Sequence, residues 1–194
     1  MSMMGGTLGF FGVGRVYATW NPSDAGADWS FSGGNLVATK TASSSSIVRA
    51  NTAKTTGKWY WEVTLTAVGT GTEGIGIADQ NCALSAYLGF SVYGWGYRFG
   101  NGIVYNQTIP SFGPGGSFVS GDVIGMALDV DAGTLKFYQN NSLQVTATGI
   151  YSSGMSQNVF PALNLYGNTD NAKANFGATA FTYSPPSGYN AGVY

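Results

Sequence analysis

The sequence predicts an all-β sandwich, and three observations carry that prediction. In Trp59-Tyr60-Trp61-Glu62-Val63-Thr64-Leu65 the odd positions fall on one face of a strand and Tyr60, Glu62 and Thr64 on the other. Period-two alternation of aromatic and β-branched residues marks a half-buried strand. Thirty glycines, many of them between alternating runs, supply tight turns. No stretch keeps helical periodicity over three turns, and short strands at spacings of roughly 8–12 residues indicate a sandwich or barrel.

The elements follow in chain order. Residues 1–17 form a Gly-rich apolar arm, in which Gly5, Gly6, Gly9, Gly12 and Gly14 alternate loosely with Met3, Met4, Leu8, Phe10, Phe11 and Val13. An exposed arm of this kind is a sticky patch. It folds back onto its own domain or is disordered in one reading, and docks into another subunit or a larger assembly in the other. The sandwich domain spans 18–194. Asn21-Pro22-Ser23-Asp24 signals a turn. Trp29-Ser30-Phe31 and Leu36-Val37-Ala38 form a hairpin across Ser32-Gly33-Gly34-Asn35. A polar loop at 41–46 leads to a short strand, Ile47-Val48-Arg49-Ala50, and then to the Trp59 strand.

Gly74-Ile75-Gly76-Ile77-Ala78 is a strand with side chains on one face, whose glycines admit a close neighbour. A hairpin joins Gly96-Tyr97-Arg98-Phe99 to Ile103-Val104-Tyr105, and 110–117 is a loop. Ile124, Met126, Leu128 and Val130 alternate against Gly125, Ala127 and Asp129. The chain then turns at Asp131-Ala132-Gly133-Thr134, and Leu135 and Phe137 continue the apolar face. Strands follow at 160–165 and 174–176, and 183–189 is extended coil that caps the domain edge.

Composition excludes several functions. Charged residues are only 9% of the chain, against an average of about 25%. With eight Lys and Arg, none clustered, and a net charge of −1, the chain lacks a nucleic-acid footprint and a polybasic membrane surface. Histidine is absent, which removes the commonest general base and metal ligand. The single cysteine, Cys82, has neither a disulfide partner nor a His to activate it, and a Cys/His zinc site is ruled out. No apolar run reaches the ~18 residues of a membrane span. Arg15 is the first basic residue and follows the apolar run, so residues 1–14 do not read as a signal peptide.

Six segments, in order, resemble the SPRY domain family. They are Gly57-Lys58-Trp59-Tyr60-Trp61-Glu62-Val63, Ile75-Gly76-Ile77-Ala78, and Gly94-Trp95-Gly96-Tyr97-Arg98 with Gly100. The most specific runs from Gly121-Asp122-Val123-Ile124-Gly125 through Leu128-Asp129 to Gly133-Thr134-Leu135-Lys136-Phe137 and Asn140-Asn141. Phe160-Pro161-Ala162-Leu163 and Asn175-Phe176-Gly177 complete the set. Asn141 stands where the family has glycine, and Asn also tolerates a left-handed turn position. The resemblance covers roughly residues 18 to 185. It implies a bent β-sandwich of two antiparallel sheets, a concanavalin-like jelly roll, that binds short peptides or protein surfaces without catalysis.

The resemblance also carries candidate binding residues. Tyr87 matches an aromatic that contacts ligand in peptide-binding members. Leu165, Tyr166 and Gly167 fall where those members use an aliphatic-Trp-Gly contact, with Tyr here in place of Trp and a shorter spacing. Tyr93, Trp95 and Asn168 are expected neighbours, since Tyr and Trp are frequent binding hot spots. The alternative for each aromatic is core or rim packing, which fits Trp95 better than binding does. Asp129-Val130-Asp131-Ala132-Gly133 hints at a calcium loop, but a hairpin turn explains Asp131 better. Glu62 and Glu73, the only glutamates, do not form the paired carboxylates of a hydrolase.

These observations imply a non-catalytic binding or structural module with no catalytic residue, metal or cofactor. Low charge, missing histidine and the apolar arm favour a bacteriophage virion component, a tail-fibre or capsid decoration protein of bacterial or phage SPRY-like type. The alternatives are a free-standing peptide- or protein-binding adaptor and a lectin-like domain. Expected partners are a protein or peptide on the loop surface, other virion proteins through residues 1–17, and a cell-surface glycan in the lectin reading. A homo-oligomer is compatible with the arm; nucleic acid and membrane insertion are not expected. The location is the virion if the chain is phage-derived, otherwise the cytoplasm.

Overall fold

The computed structural model describes residues 14–69 and 71–194; residues 1–13 of the 1–17 arm lie outside the described residues. Fifteen strands run β1 Trp20–Ala25, β2 Trp29–Ser32, β3 Val37–Lys40, β4 Ser46–Ala50, β5 Lys58–Ala67, β6 Gly74–Ala78, β7 Gly94–Arg98 and β8 Val104–Asn106. They continue as β9 Ile109–Phe112, β10 Val123–Asp129, β11 Thr134–Gln139, β12 Ser142–Thr148, β13 Phe160–Leu165, β14 Asn171–Asn175 and β15 Asn190–Ala191. Two sheets result, with orders β1-β4-β13-β6-β7-β8-β9 and β12-β11-β10-β5-β14-β3-β2. The two sheets are antiparallel apart from β15, which runs parallel to β5 alongside Trp59 and Tyr60, where β14 has ended. This is the two-sheet sandwich that the sequence predicts.

Alternation places the core between the sheets. Trp61, Val63 and Leu65 of β5 point inward beside Ile124, Met126 and Leu128 of β10, in a register that pairs Trp61 with Met126. Trp20, Trp61, Tyr97, Phe99, Phe118, Phe137 and Phe176 are fully buried, and Tyr97 stacks on Phe118 at 4.2 Å. Each such side chain contributes about 1.5–3 kcal/mol of burial free energy. The two-residue turns use left-handed positions: Gln107 and Thr108 between β8 and β9, and Asn140 and Asn141 between β11 and β12. Asn141 has φ 71°, so it takes the conformation the family gives to glycine.

Several local expectations change. Asn21–Asp24 is not a free turn: it lies within β1 as an irregular bulge, between the pairs Trp20 with Ala50 and Ala25 with Val48. The 110–117 loop begins inside β9, an edge strand, where Pro110 is tolerated. Gly74 and Gly76 do admit a close backbone as expected, since a Cβ on Gly74 would lie 2.9 Å from the Tyr97 carbonyl oxygen and one on Gly76 closer still to that of Trp95, and Gly94 and Gly96 admit Leu88 in the same way.

Both sheets carry a cover on their outer face. On the first, the long β6–β7 loop, residues 79–93, folds back over the strands and builds a second apolar cluster of Cys82 and Leu88 with Ile47, Ala78 and Ala162. A Cβ on Gly96 would lie 2.5 Å from the Leu88 carbonyl oxygen, so only glycine lets the loop lie this close. On the second, the C-terminal segment covers a face rather than an edge. Phe181 packs edge-on against Tyr60 at 5.2 Å, and the Thr182 and Tyr183 N–H groups donate to the Glu62 carboxylate. Tyr60 and Glu62 are therefore only 2% exposed, although they lie on the outward face of β5. The chain then returns through Val193, which bonds Phe176 and Ala18, and Tyr194 meets Tyr17 and Arg15.

Candidate functional site

Three loops meet at the end of the first sheet where β13 finishes and β6 begins. Asn164, buried in β13 opposite Gly74, ties them together. Its Oδ1 accepts from Leu88 N at 3.3 Å and its Nδ2 donates to Ser45 Oγ at 3.4 Å. The β3–β4 loop bonds the β13–β14 turn through Ser44 N to Tyr166 O at 3.0 Å and Asn168 N to Ser43 Oγ at 3.3 Å. The turn itself is held by Asp170, which is buried and accepts from Gly167 N at 2.7 Å. The result is a rim whose backbone is fixed by its own hydrogen bonds.

Tyr166 is 46% exposed on this rim, with Asn168 exposed and Gly167 half-buried beside it. Tyr87 is half-buried and lies over Arg98, and Phe90 meets Tyr87 edge-on at 5.4 Å with 52% of its surface free. The other expected residues are placed differently. Leu165 is fully buried among core side chains, in phase with Leu163. Trp95 also points inward, packs on Phe112 at 5.8 Å and donates its indole N–H to Ile150 O at 2.9 Å. Neither presents a side chain to a partner. Tyr93 is exposed, but its carbonyl closes the loop onto Asp79 N at 2.9 Å, beside Ala78. That is the opposite end of β6 from Gly74, four residues or about 13 Å away along the strand. Tyr93 is thus separated from Tyr166.

The structure adds residues that the sequence reading passed over. Arg98 lies on the outer face of β7, with its Cζ 4.5 Å from the Tyr87 ring centre and 4.0 Å from that of Tyr105. The Tyr105 hydroxyl is held by Asn101 Nδ2 at 3.0 Å. One signal was available: Arg98 is the only charged side chain between Asp79 and Asp122. Beneath the rim, Glu73 is 2% exposed. Its pKa is raised by burial and the Asp170 carboxylate, against the pull of backbone N–H groups of Glu73 and Gly71.

The remaining reactive groups serve the fold. Cys82 is buried, and burial pushes its thiol up to about 11, against the pull of Arg49. Asp129 pairs with Lys58 at 3.1 Å and accepts from Ala132 N, while Asp131 accepts from Gly57 N at 3.0 Å. These are turn contacts, and no group of three or more His, Cys, Asp or Glu among the described residues could hold a metal ion. A cavity of about 400 Å³ lies between the C-terminal cover and the second sheet, and its buried carboxylate, Glu62, is already bonded to Thr182 and Tyr183. No helix among the described residues is long and apolar enough to cross a membrane.

A family model described as the SPRY domain matches residues 58–179, from β5 to just beyond β14. The chain belongs to the SPRY domain family. The chain is 33% identical over 141 residues to the E3 ubiquitin-protein ligase RKP of Arabidopsis thaliana, covering 71% of this chain and 11% of that protein. It is 29% identical over 175 residues to Ran-binding protein 9 of Xenopus tropicalis, covering 85% of this chain and 31% of the relative. The chain thus spans about a tenth to a third of the length of these relatives. The SPRY domain of human HERC1 superposes with a TM-score of 0.66 at 19% identity, covering 80% of this chain and 96% of that domain. A second human SPRY domain gives a TM-score of 0.62 at 18% identity, covering 78% and 97%. These likenesses confirm the fold. The relatives named are eukaryotic, so the SPRY assignment stands without the bacterial or phage subtype.

Proposed function

We propose that this SPRY domain is a non-catalytic recognition module that binds a protein or peptide across the rim formed by residues 43–45, 87–90 and 166–168. The observation that carries the reading is the exposure of Phe90 and Tyr166 on loops whose backbones are already hydrogen-bonded in place. Rigid aromatic side chains on a fixed backbone lose little entropy on binding, which favours them as anchors. A SPRY segment inside much longer relatives, one named as a ligase and one as Ran-binding, is consistent with a module that selects partners.

The test is selection from a displayed random-peptide library on the intact domain, followed by affinity measurement on Tyr166→Ala and Phe90→Ala. We expect each change to weaken binding at least tenfold. Melting temperature should shift by less than about 2 °C, because neither residue belongs to the core. Peptides that bind both variants as well as the parent would sink the reading. Recovery of a glycan ligand and of no peptide would replace it with the lectin-like one. The bacteriophage virion setting, with residues 1–17 as an assembly element, rests on composition alone. The eukaryotic relatives favour the adaptor-like module over it.

A further inference from the structure

The two arginines of the first sheet are treated in opposite ways. Arg49, under the β6–β7 loop, makes four hydrogen bonds with its guanidinium. It donates to both Asp24 carboxylate oxygens at 2.7 and 2.6 Å, and to the Asp79 and Cys82 carbonyls at 2.5 and 3.2 Å. Arg98 instead places its Cζ over two rings, 4.5 Å from the Tyr87 centre and 4.0 Å from that of Tyr105. No carboxylate or carbonyl among the described residues accepts a hydrogen bond from it, and its Nε is buried without a partner. Its Nη groups are not among the enclosed unpartnered atoms, so they reach the surface at the rim.

We propose that Arg98, held between Tyr87 and Tyr105, is the anchor for an acidic side chain, Asp or Glu, of the peptide bound at the rim. The proposal rests on the recognition reading above and names the chemistry of its ligand. With its Cζ over two aromatic rings and no acceptor bonded to it among the described residues, the guanidinium keeps its N–H donors for a ligand. A carboxylate is planar and accepts two parallel N–H bonds, so it matches the guanidinium fork. The stacking fixes the fork before the ligand arrives, which lowers the ordering cost of binding. Among the described residues no carboxylate lies within 4 Å of Arg98 to compete, and from residue 80 to 121 the chain supplies no other charge of either sign. Phe90, edge-on to Tyr87, offers an apolar contact for a residue next to the acid.

The experiment uses peptides selected on the intact domain, each remade with its acidic residues changed one at a time to the matching amide. Affinities are measured on the parent domain, Arg98→Gln, Arg98→Lys and Tyr166→Ala. We expect the selected peptides to share an acidic position whose amide replacement weakens parent binding at least tenfold. On Arg98→Gln the same replacement should cost less than twofold, the signature of a direct pair in a double-mutant cycle. Arg98→Lys should recover only part of the loss, because Lys lacks the fork and the stacking plane. Selected peptides without a shared acid, or an amide penalty that persists on Arg98→Gln, would overturn the proposal. In that case a loss on Tyr166→Ala would leave the rim reading standing. Binding indifferent to both Tyr166 and Arg98 would remove the two together. The amide series on the parent domain needs no protein variant, so absence of a shared acid overturns the proposal even if Arg98→Gln folds poorly, and Arg98→Lys then serves as the variant arm of the cycle.

Discussion

The two sheets of this sandwich are both covered on their outer faces, and the covers differ in what they do with polar groups. The C-terminal cover of the second sheet turns Phe181 inward onto Tyr60 and closes both Glu62 oxygens with backbone N–H groups. The β6–β7 loop over the first sheet turns Cys82 and Leu88 inward, leaves Phe90 out, and leaves Arg98 without an acid. A cover whose hydrogen-bonding capacity is satisfied within the chain is part of the fold. A cover that leaves aromatic area and a stacked cation free is suited to recognition. Position on the outer face of a sheet therefore does not by itself mark a binding surface; the proposed rim rests on its unspent groups.

The largest effect that would break this contrast belongs to the C-terminal cover. Glu62→Ala removes the acceptor of Thr182 N at 2.8 Å, Tyr183 N at 2.9 Å and the Tyr60 hydroxyl at 3.1 Å. Hydrogen bonds to a buried carboxylate are the strong kind, and the orphaned donors add a desolvation cost, so the loss should be about 3 kcal/mol. Urea denaturation would measure it, and limited proteolysis should cut first near residues 179–183. If stability and the cleavage pattern are unchanged, the C-terminal cover is not held by Glu62. The next effect belongs to the loop. In Gly96→Ala the new methyl meets the Leu88 backbone at 2.5–2.8 Å, and neither strand nor loop backbone can yield freely. A loss of about 2 kcal/mol is expected. Lifting the loop should also expose Cys82, so thiol labelling at pH 8 should accelerate in the variant. Unchanged labelling would show that the loop is not seated by this glycine.

How much of this was legible in the sequence depends on range. The strand at 59–65 and the hairpin around Asp131 are written in local alternation and turn residues, and they stand as read. Parity also held the answer for Trp95 and Leu165: each is in phase with an inward neighbour, Tyr97 and Leu163, so its burial was implied by period two. The burial of Tyr60 and Glu62 was not legible, because it is imposed by residues about 120 positions later. β9 was hidden by Pro110, which breaks the strand pattern and is tolerated only because the strand is an edge. Tyr87 and Tyr166 were singled out by their match to the family. Arg98 was not, because a lone arginine in a strand reads the same whether or not it meets an acid. Its setting arises only when the β6–β7 loop folds back to bring Tyr87 over β7.

The smallest effect sharpens the contrast through the chain's two glutamates. Glu62 is saturated with donors, whereas Glu73, beneath the rim, is buried with an Oε2 that has no hydrogen-bond partner among the described residues. Burial and the Asp170 carboxylate raise the Glu73 pKa above its ordinary 4.5, despite opposing backbone N–H groups. A raised value in the folded state means that folding favours the protonated acid. Its contribution to stability is therefore full below about pH 4.5 and is lost as the pH rises through the folded value. Glu73→Gln mimics the protonated acid and cannot titrate. Urea midpoints for the two proteins should coincide near pH 4 and then diverge as the pH rises, with the variant the more stable at pH 7. Groups common to both proteins cancel in that difference. Parallel midpoint curves would mean that Glu73 is as well served as Glu62. The rim would then rest on satisfied polar groups, and the contrast would be confined to Arg98 and the exposed aromatics.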